Sequence, residues 1–277
     1  MVALFPITTL FTQIFYLQRN KVNIMQIMSF NIRCGDVGDK PWNDRIDIVC
    51  RTILESGADS VGIQEATPEW MAVLKENIGH KYDYVGIGRD DGKNKGEYSP
   101  VFYLKDKYEA VECNNFWLSE TPNEASFGWD AACRRICSWA RLKDKETGAE
   151  YVHINTHFDH IGVEARRNSV DMIIAHAKTF VDIPVVFTAD MNVVEGTENY
   201  NQFVNSNYFD DTKKLAPDTM HYCTYHDTKP EEHRDEVIDY VMINKGFKAL
   251  KYVVMTEGID GRFVSDHYPI YADVEII

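Results

Sequence analysis

Positive charge is scarce in this 277-residue chain, where 29 Lys and Arg stand against 43 Asp and Glu for a formal net charge of −14. Non-specific binding of long nucleic acid draws its affinity from cations that release counterions off the phosphates, so that class is excluded except through a local patch. Long apolar runs are missing too. The most apolar stretch, Met1 to Leu17, is interrupted by Pro6, Thr8, Thr9, Thr12 and Gln13, and falls short of the roughly 20 residues of a membrane span. It also lacks the basic opening and small-residue cleavage site of a secretory leader. No CxxC pair occurs among Cys34, Cys50, Cys113, Cys133, Cys137 and Cys223. A chain this long needs no disulfide scaffold, and scattered reduced thiols favour a cytoplasmic setting. Nor does any Pro-, Gly- or Ser-rich linker or internal repeat divide the sequence.

What is present is an ordinary globular balance, 44% hydrophobic and 26% charged, which argues against disorder. Residues 1–24 read as an N-terminal extension, dispensable or a degenerate leader, and residues 25–277 as one domain. From Met25 onward strands and helices alternate. Strands are expected at Met25–Arg33, Asp59–Gln64, Tyr82–Gly88, Pro100–Leu104, Tyr108–Leu118, Ile136–Leu142, Glu150–Thr156, Pro184–Ala189, Val237–Ile243, Ala249–Met255 and Ile270–Val274. Helices are expected at Asn43–Glu55, with Gly57 as its cap, at Pro68–Asn77, and at Val163–Val181, whose Val170, Ile173, Ile174, Ala177 and Val181 form one apolar face. Several consecutive strands lack an intervening helix, which excludes a purely parallel doubly wound sheet. The pattern predicts two packed mixed, largely antiparallel sheets with helices on their outer faces.

Asn, His and acidic residues collect at the ends of these strands: Ser29-Phe30-Asn31-Ile32-Arg33, Gln64-Glu65, Asn155-Thr156-His157-Phe158-Asp159-His160, Asp190-Met191-Asn192, Ile238-Asp239-Tyr240 and Ser265-Asp266-His267. One such group would be a turn or a satisfied core histidine. Six in one chain are hard to reconcile with that reading. Their order, FNIR, QE, NTH, D-x-N, IDY and SDH, resembles the endonuclease/exonuclease/phosphatase superfamily over Met25–Ile277. The stretches Gly88–Pro100, Phe116–Pro122 and NTHFDHIG resemble its bacterial branch, nearer deadenylase- and nocturnin-like members than DNase.

The resemblance implies a four-layer α/β sandwich and a metal-dependent hydrolase of phosphate mono- or diesters. Glu65 and Asp266, with Asn31 beside them, would hold a divalent cation. A site with few carboxylates suits Mg²⁺, with Mn²⁺ as the alternative. Asp190 would orient and deprotonate the attacking water, and Asn192 would fix it or bind the phosphorus centre. His157 and His267 would donate to non-bridging oxygens as charge builds there. The resemblance further pairs Glu97 with His157 and Asp239 with His267, each carboxylate keeping its imidazole cationic near neutrality. Candidate substrate contacts are Arg89, Tyr98, Arg135 and Trp117. Arg134, Arg141 and Trp129 are weaker. His221, His226 and His233 with Asp235 match no standard metal spacing and read as a polar loop.

Two rival readings arise. His-Phe-Asp-His at 157–160 contains most of an HxHxDH di-zinc hydrolase signature, but position 155 is Asn and the rival leaves Asn31, Glu65 and Asp266 without roles. A non-catalytic binding protein of the same fold is the second, against which stands the full set of acid, amide and imidazole positions. The charge balance favours a small phosphorylated molecule or nucleotide over long DNA, with RNA or DNA cleavage as the alternative function. Oligomeric state is not legible.

Overall fold

The computed structural model describes residues 24–277. The segment expected as an N-terminal extension lies outside them, apart from Ile24, which begins the first strand. Thirteen strands and five α-helices are present among the described residues. One sheet runs β10-β12-β13-β1-β2-β4-β3 and the other β5-β6-β7-β8-β11-β9. Their strands are β1 (Ile24–Asn31), β2 (Ser60–Gln64), β3 (Tyr82–Val85), β4 (Val101–Leu104), β5 (Tyr108–Trp117), β6 (Ile136–Asp144), β7 (Glu150–His157), β8 (Val185–Asp190), β9 (Asp210–Asp211), β10 (Asp218–Thr219), β11 (Asp239–Ile243), β12 (Phe247–Val254) and β13 (Ile270–Ile276). Both sheets are mixed: β1 is parallel to β2 and β7 to β8, while most other neighbours are antiparallel.

Period-2 alternation builds the four layers. From the first sheet, Met28, Phe30, Val61 and Ile63 point outward and pack on α1 (Ile46–Ser56) and α2 (Pro68–Ile78) through Ile53, Trp70 and Leu74. From the second, Ile154, Phe187 and Met242 point outward and pack on α3 (Val163–Ala177) and α4 (Glu198–Val204) through Val170, Ile173 and Phe203. Between the sheets lie Ile27, Val186, Val241, Ile270 and Val274. The expected sandwich is therefore present. No helix among the described residues is long and apolar enough to cross a membrane.

Local sequence explains the helix ends. Gly57 closes α1 at φ 63, a conformation glycine adopts without Cβ strain. Thr67 caps α2 by accepting the Trp70 N–H, with Pro68 in the first turn. The cap of α3 comes from a distant loop, where Asp130 accepts the N–H groups of Glu164 and Ala165. This helix stops at Ala177, and Val181, expected on its apolar face, is 72% exposed beyond it. The helix expected from Asn43 begins instead with a 3-10 turn at Trp42–Arg45.

Polar residues also face each other between the sheets. Tyr151 Oη donates to Ser60 Oγ, which lies 2.8 Å from His153 Nδ1. His153 Nε2 lies 2.8 Å from Thr188 Oγ1, which donates to Asn155 Oδ1, as Gln64 Nε2 does at 2.7 Å. Asn155 Nδ2 reaches the carbonyls of Ile63 and Pro100 in the opposite sheet. Gly62 sits over this chain, where a Cβ would collide with Thr188 Oγ1 and Asn155 Oδ1. Satisfied apart from Gln64 Oε1, this buried network fixes the relative placement of the sheets, and hence of the strand ends above it.

Candidate active site

Alternation carries one face of each central strand to the same rim. Asn31 follows Ile27 and Ser29 on the inter-sheet face of β1, and Glu65 follows Gln64 at the end of β2, paired with Asn31. His157 follows Tyr151, His153 and Asn155 on β7, directly opposite Asp190 on β8, and Asp190 is opposite Asp239 on antiparallel β11. The loop before β13 adds Asp266 and His267. All of these are at least nine-tenths buried. Glu65, His157, Asp190, Asp266 and His267 border a cleft of about 550 Å³, with Arg33, Arg89, Glu97, Arg135, His160 and Asn192 on its walls. Glu65 (φ 63), Arg33 (φ 56) and Asn192 (φ 48) are non-glycine residues in left-handed conformations, a strain that concentrates where side chains must be aimed.

Asn31 is the hub. Its Nδ2 donates to Glu65 Oε1 at 3.0 Å and to Asp190 Oδ2 at 2.8 Å, while its Oδ1 accepts the Arg33 N–H. The amide thus orients two carboxylates, and its oxygen, expected beside a metal, is already engaged. Burial pushes the Glu65 carboxyl up, but the Cys34 N–H at 2.9 Å and the Asn31 amide hold it well below the usual carboxylate range. Glu65 and Asp266 converge on one cation, the Arg33 guanidinium, at 4.0 and 3.5 Å. Two carboxylates already facing a shared positive charge fit a hard divalent cation. Behind them, the buried Arg45 guanidinium donates to the carbonyls of Ile32, Arg33, Gly35 and Val264, tying the loop after β1 to the segment that carries Asp266.

Asp190 accepts the Asn192 N–H at 2.9 Å. Burial, and then the neighbouring Asp239 carboxylate, raise its pKa. The expected Asp239–His267 pair is present at 2.8 Å. Burial opposes charge on His267, yet Asp239 outweighs it, with help from Asp190 and Asp266, and its pKa rises to about 10. His267 Nε2 then faces Asp190 Oδ2 at 3.7 Å.

The other expected pair does not form. Glu97 makes a bidentate pair with Arg89, at 2.7 and 3.0 Å. His157 Nε2 instead meets Asn192 Nδ2 at 3.0 Å, and its Nδ1 has no partner. Burial, followed by the nearby Arg135 charge, drives the His157 pKa well below 6.5, so this ring is neutral rather than cationic. A neutral Nε2 is the acceptor that the Asn192 amide requires.

Two expected substrate contacts are supports instead. Trp117 is buried, and its Nε1 donates to the Arg89 carbonyl at 2.7 Å. Tyr98 is buried with its hydroxyl on the Lys93 carbonyl. Together they brace the 88–97 loop. Arg141 pairs with Glu150, and Arg134 lies over Phe127 and near Asp90. His226 packs on Tyr268 and His233 bonds Glu236, so no metal cluster gathers there. Asn155, where the di-zinc signature wants His, points between the sheets. Sequence reasoning missed Arg33, Arg45 and His160 as site residues, although Arg33 closes the FNIR motif and His160 follows His157 by three positions.

Comparison with known proteins gives the family and the fold. The family model described as Endonuclease/Exonuclease/phosphatase family matches residues 28–267. A Bacteroides vulgatus endonuclease/exonuclease/phosphatase structure is 38% identical, with a TM-score of 0.86 over 92% of this chain and 99% of its own. A Bacteroides thetaiotaomicron mannosyl-6-phosphatase is 32% identical, with a TM-score of 0.84 over 90% and 99%. The human Nocturnin catalytic domain, at 17% identity and a TM-score of 0.73 over 94% and 99%, shares the fold. No curated protein matches the sequence.

Proposed function

Since the chain belongs to the endonuclease/exonuclease/phosphatase family of metal-dependent ester hydrolases, we propose that it cleaves a phosphate ester of a small molecule or nucleotide by in-line attack of water at Asp190. The observation that carries this reading is the convergence of Asp190 with Asn31, Asn192 and the cationic His267 at one rim. Its raised pKa suits Asp190 to take a proton near neutral pH. His267, charged through Asp239, donates from Nε2 to a phosphoryl oxygen as negative charge accumulates, and Asn192 orients Asp190 through its backbone N–H. A divalent cation, Mg²⁺ by its oxygen donors, held by Glu65 and Asp266, would neutralise charge on the phosphoryl and leaving oxygens. Asn31 keeps Glu65 and Asp190 in fixed relation. The likeness to the mannosyl-6-phosphatase supports a sugar phosphate among the substrates to try first.

The test is turnover with Mg²⁺, and after chelation, on sugar phosphates, mononucleotides, oligo(A) and duplex DNA. Asp190→Asn and His267→Ala should each lose roughly 10²-fold or more in kcat. Wild-type rates in both variants, or undiminished turnover in chelator, would remove the assignment.

A further inference from the structure

Arg135 is a buried cation with unused donors. It immediately precedes β6, is 5% exposed, and lines the cleft beside His157. Its Nη2 donates to His160 Nδ1 at 3.2 Å, while buried Nε has no hydrogen-bond partner among the described residues. The nearest carboxylate, Asp159, is 3.5 Å from Nε and already accepts the N–H groups of Cys133, Ile161 and Gly162. The other cleft arginines are matched more fully. Arg89 is held bidentately by Glu97, and Arg33 faces both Glu65 and Asp266. Burying a guanidinium with open donors is costly unless an anion completes it, and its planar fork suits two oxygens of one phosphate.

Resting on the reading of this cleft as a phosphoester hydrolase, we infer that Arg135, aimed by Asp159 and His160, receives the third peripheral oxygen of a phosphomonoester and makes the chain a monoesterase. A diester has two non-bridging oxygens and one negative charge. A monoester has three, and is mostly dianionic at neutral pH because its second pKa is about 6. His267 Nε2 supplies a donor for one oxygen, whereas the two hydrogens of Asn192 Nδ2 are taken by His157 Nε2 and the Phe158 carbonyl. The additional oxygen and charge of a monoester require a further cationic donor, and His157, neutral and bonded to Asn192, does not supply the charge. Arg135 stands next to it with that charge and with free N–H groups.

The experiment compares p-nitrophenyl phosphate with bis(p-nitrophenyl) phosphate for the wild type, Arg135→Gln and Arg135→Lys, and measures inorganic phosphate affinity by calorimetry. Arg135→Gln should lower kcat/KM for the monoester by about 10²-fold or more and for the diester by less than about 10-fold. Its Kd for phosphate should rise at least about 10-fold, with partial recovery in Arg135→Lys, which keeps the charge but not the fork. Equal losses on both esters with unchanged phosphate affinity would overturn the inference, as would a wild type that prefers the diester. If the wild type cleaved neither ester, the hydrolase reading itself would fail, and phosphate affinity alone would decide the role of Arg135.

Discussion

Acidification will cost this fold stability through His153, a residue with no contact to substrate. The ring is fully buried between Ser60 and Thr188, and only its neutral form satisfies both neighbours. Thr188 gives its hydroxyl hydrogen to Asn155 and so accepts from Nε2, while Ser60 receives the Tyr151 hydroxyl and gives its own hydrogen to Nδ1. Burial lowers the His153 pKa from 6.5 to about 3. A folded pKa below the unfolded one means that the unfolded chain binds the proton more readily. Stability is therefore complete above pH 6.5 and falls as pH drops from there towards about 3. Between pH 7 and pH 5 this one group removes about 2 kcal/mol, a large share of a typical domain's stability. The assay is urea unfolding followed by tryptophan fluorescence at both pH values, on the wild type and on His153→Gln. The variant loses a fixed amount at pH 7 through its disturbed hydrogen bonds. Its further loss on going to pH 5 should be smaller than the wild type's by that ~2 kcal/mol, because groups such as His226 titrate alike in both proteins. Parallel losses would refute the reasoning.

Other outcomes follow from the same geometry. Gly62→Ala drives a Cβ into Thr188 and Asn155, and should destabilise by about 2 kcal/mol or more, as overpacking does, with a matching fall in Tm. Asp239→Asn removes the charge that lifts His267 to about 10. Burial is then opposed only by Asp190 and Asp266, the His267 pKa falls, and kcat/KM measured from pH 5 to pH 9 should drop on its alkaline side instead of staying level. Salt should separate substrate sizes: raising ionic strength slows a small monophosphate that is drawn by the cleft cations, but speeds an oligonucleotide by screening the acidic surface. Rates for both substrates that fall together would contradict that distribution of charge.

Much of the site was legible because its residues end strands, and strand ends are marked twice, by apolar alternation before them and by polar residues after. Asn31, Glu65, His157 and Asp190 carry that double mark, whereas Asp239 opens β11 and His267 lies in the loop before β13. The Glu97 pairing was not legible, because it depends on which cation a loop brings nearest, and the 88–97 loop brings its own Arg89. The supporting roles of Trp117 and Tyr98 were hidden for a related reason: an aromatic residue beside a cleft and one beneath a loop have the same sequence context. Between 191 and 236 the short elements α4, β9, β10 and α5 (Thr212–Leu215) escaped notice. Elements of two to seven residues leave too few positions for a period to show. Arg45 falls within the helix expected at Asn43–Glu55 with nothing in the sequence to single it out, and only the fold reveals four carbonyls around it.

The charge pattern gives the fold's two halves a common purpose. A chain at −14 repels polyanions over most of its surface, yet the cleft gathers Arg33, Arg89, Arg135 and a cationic His267 around its carboxylates. At physiological salt a charge is felt over about 8 Å, so a small phosphate inside the cleft interacts mainly with these groups and not with the acidic exterior. A long nucleic acid must lie across that exterior to reach the same atoms. On the proposed reading, discrimination by size needs no dedicated barrier. It follows from placing a few cations at the rim where β1, β2, β7 and β8 end and leaving the remaining surface acidic.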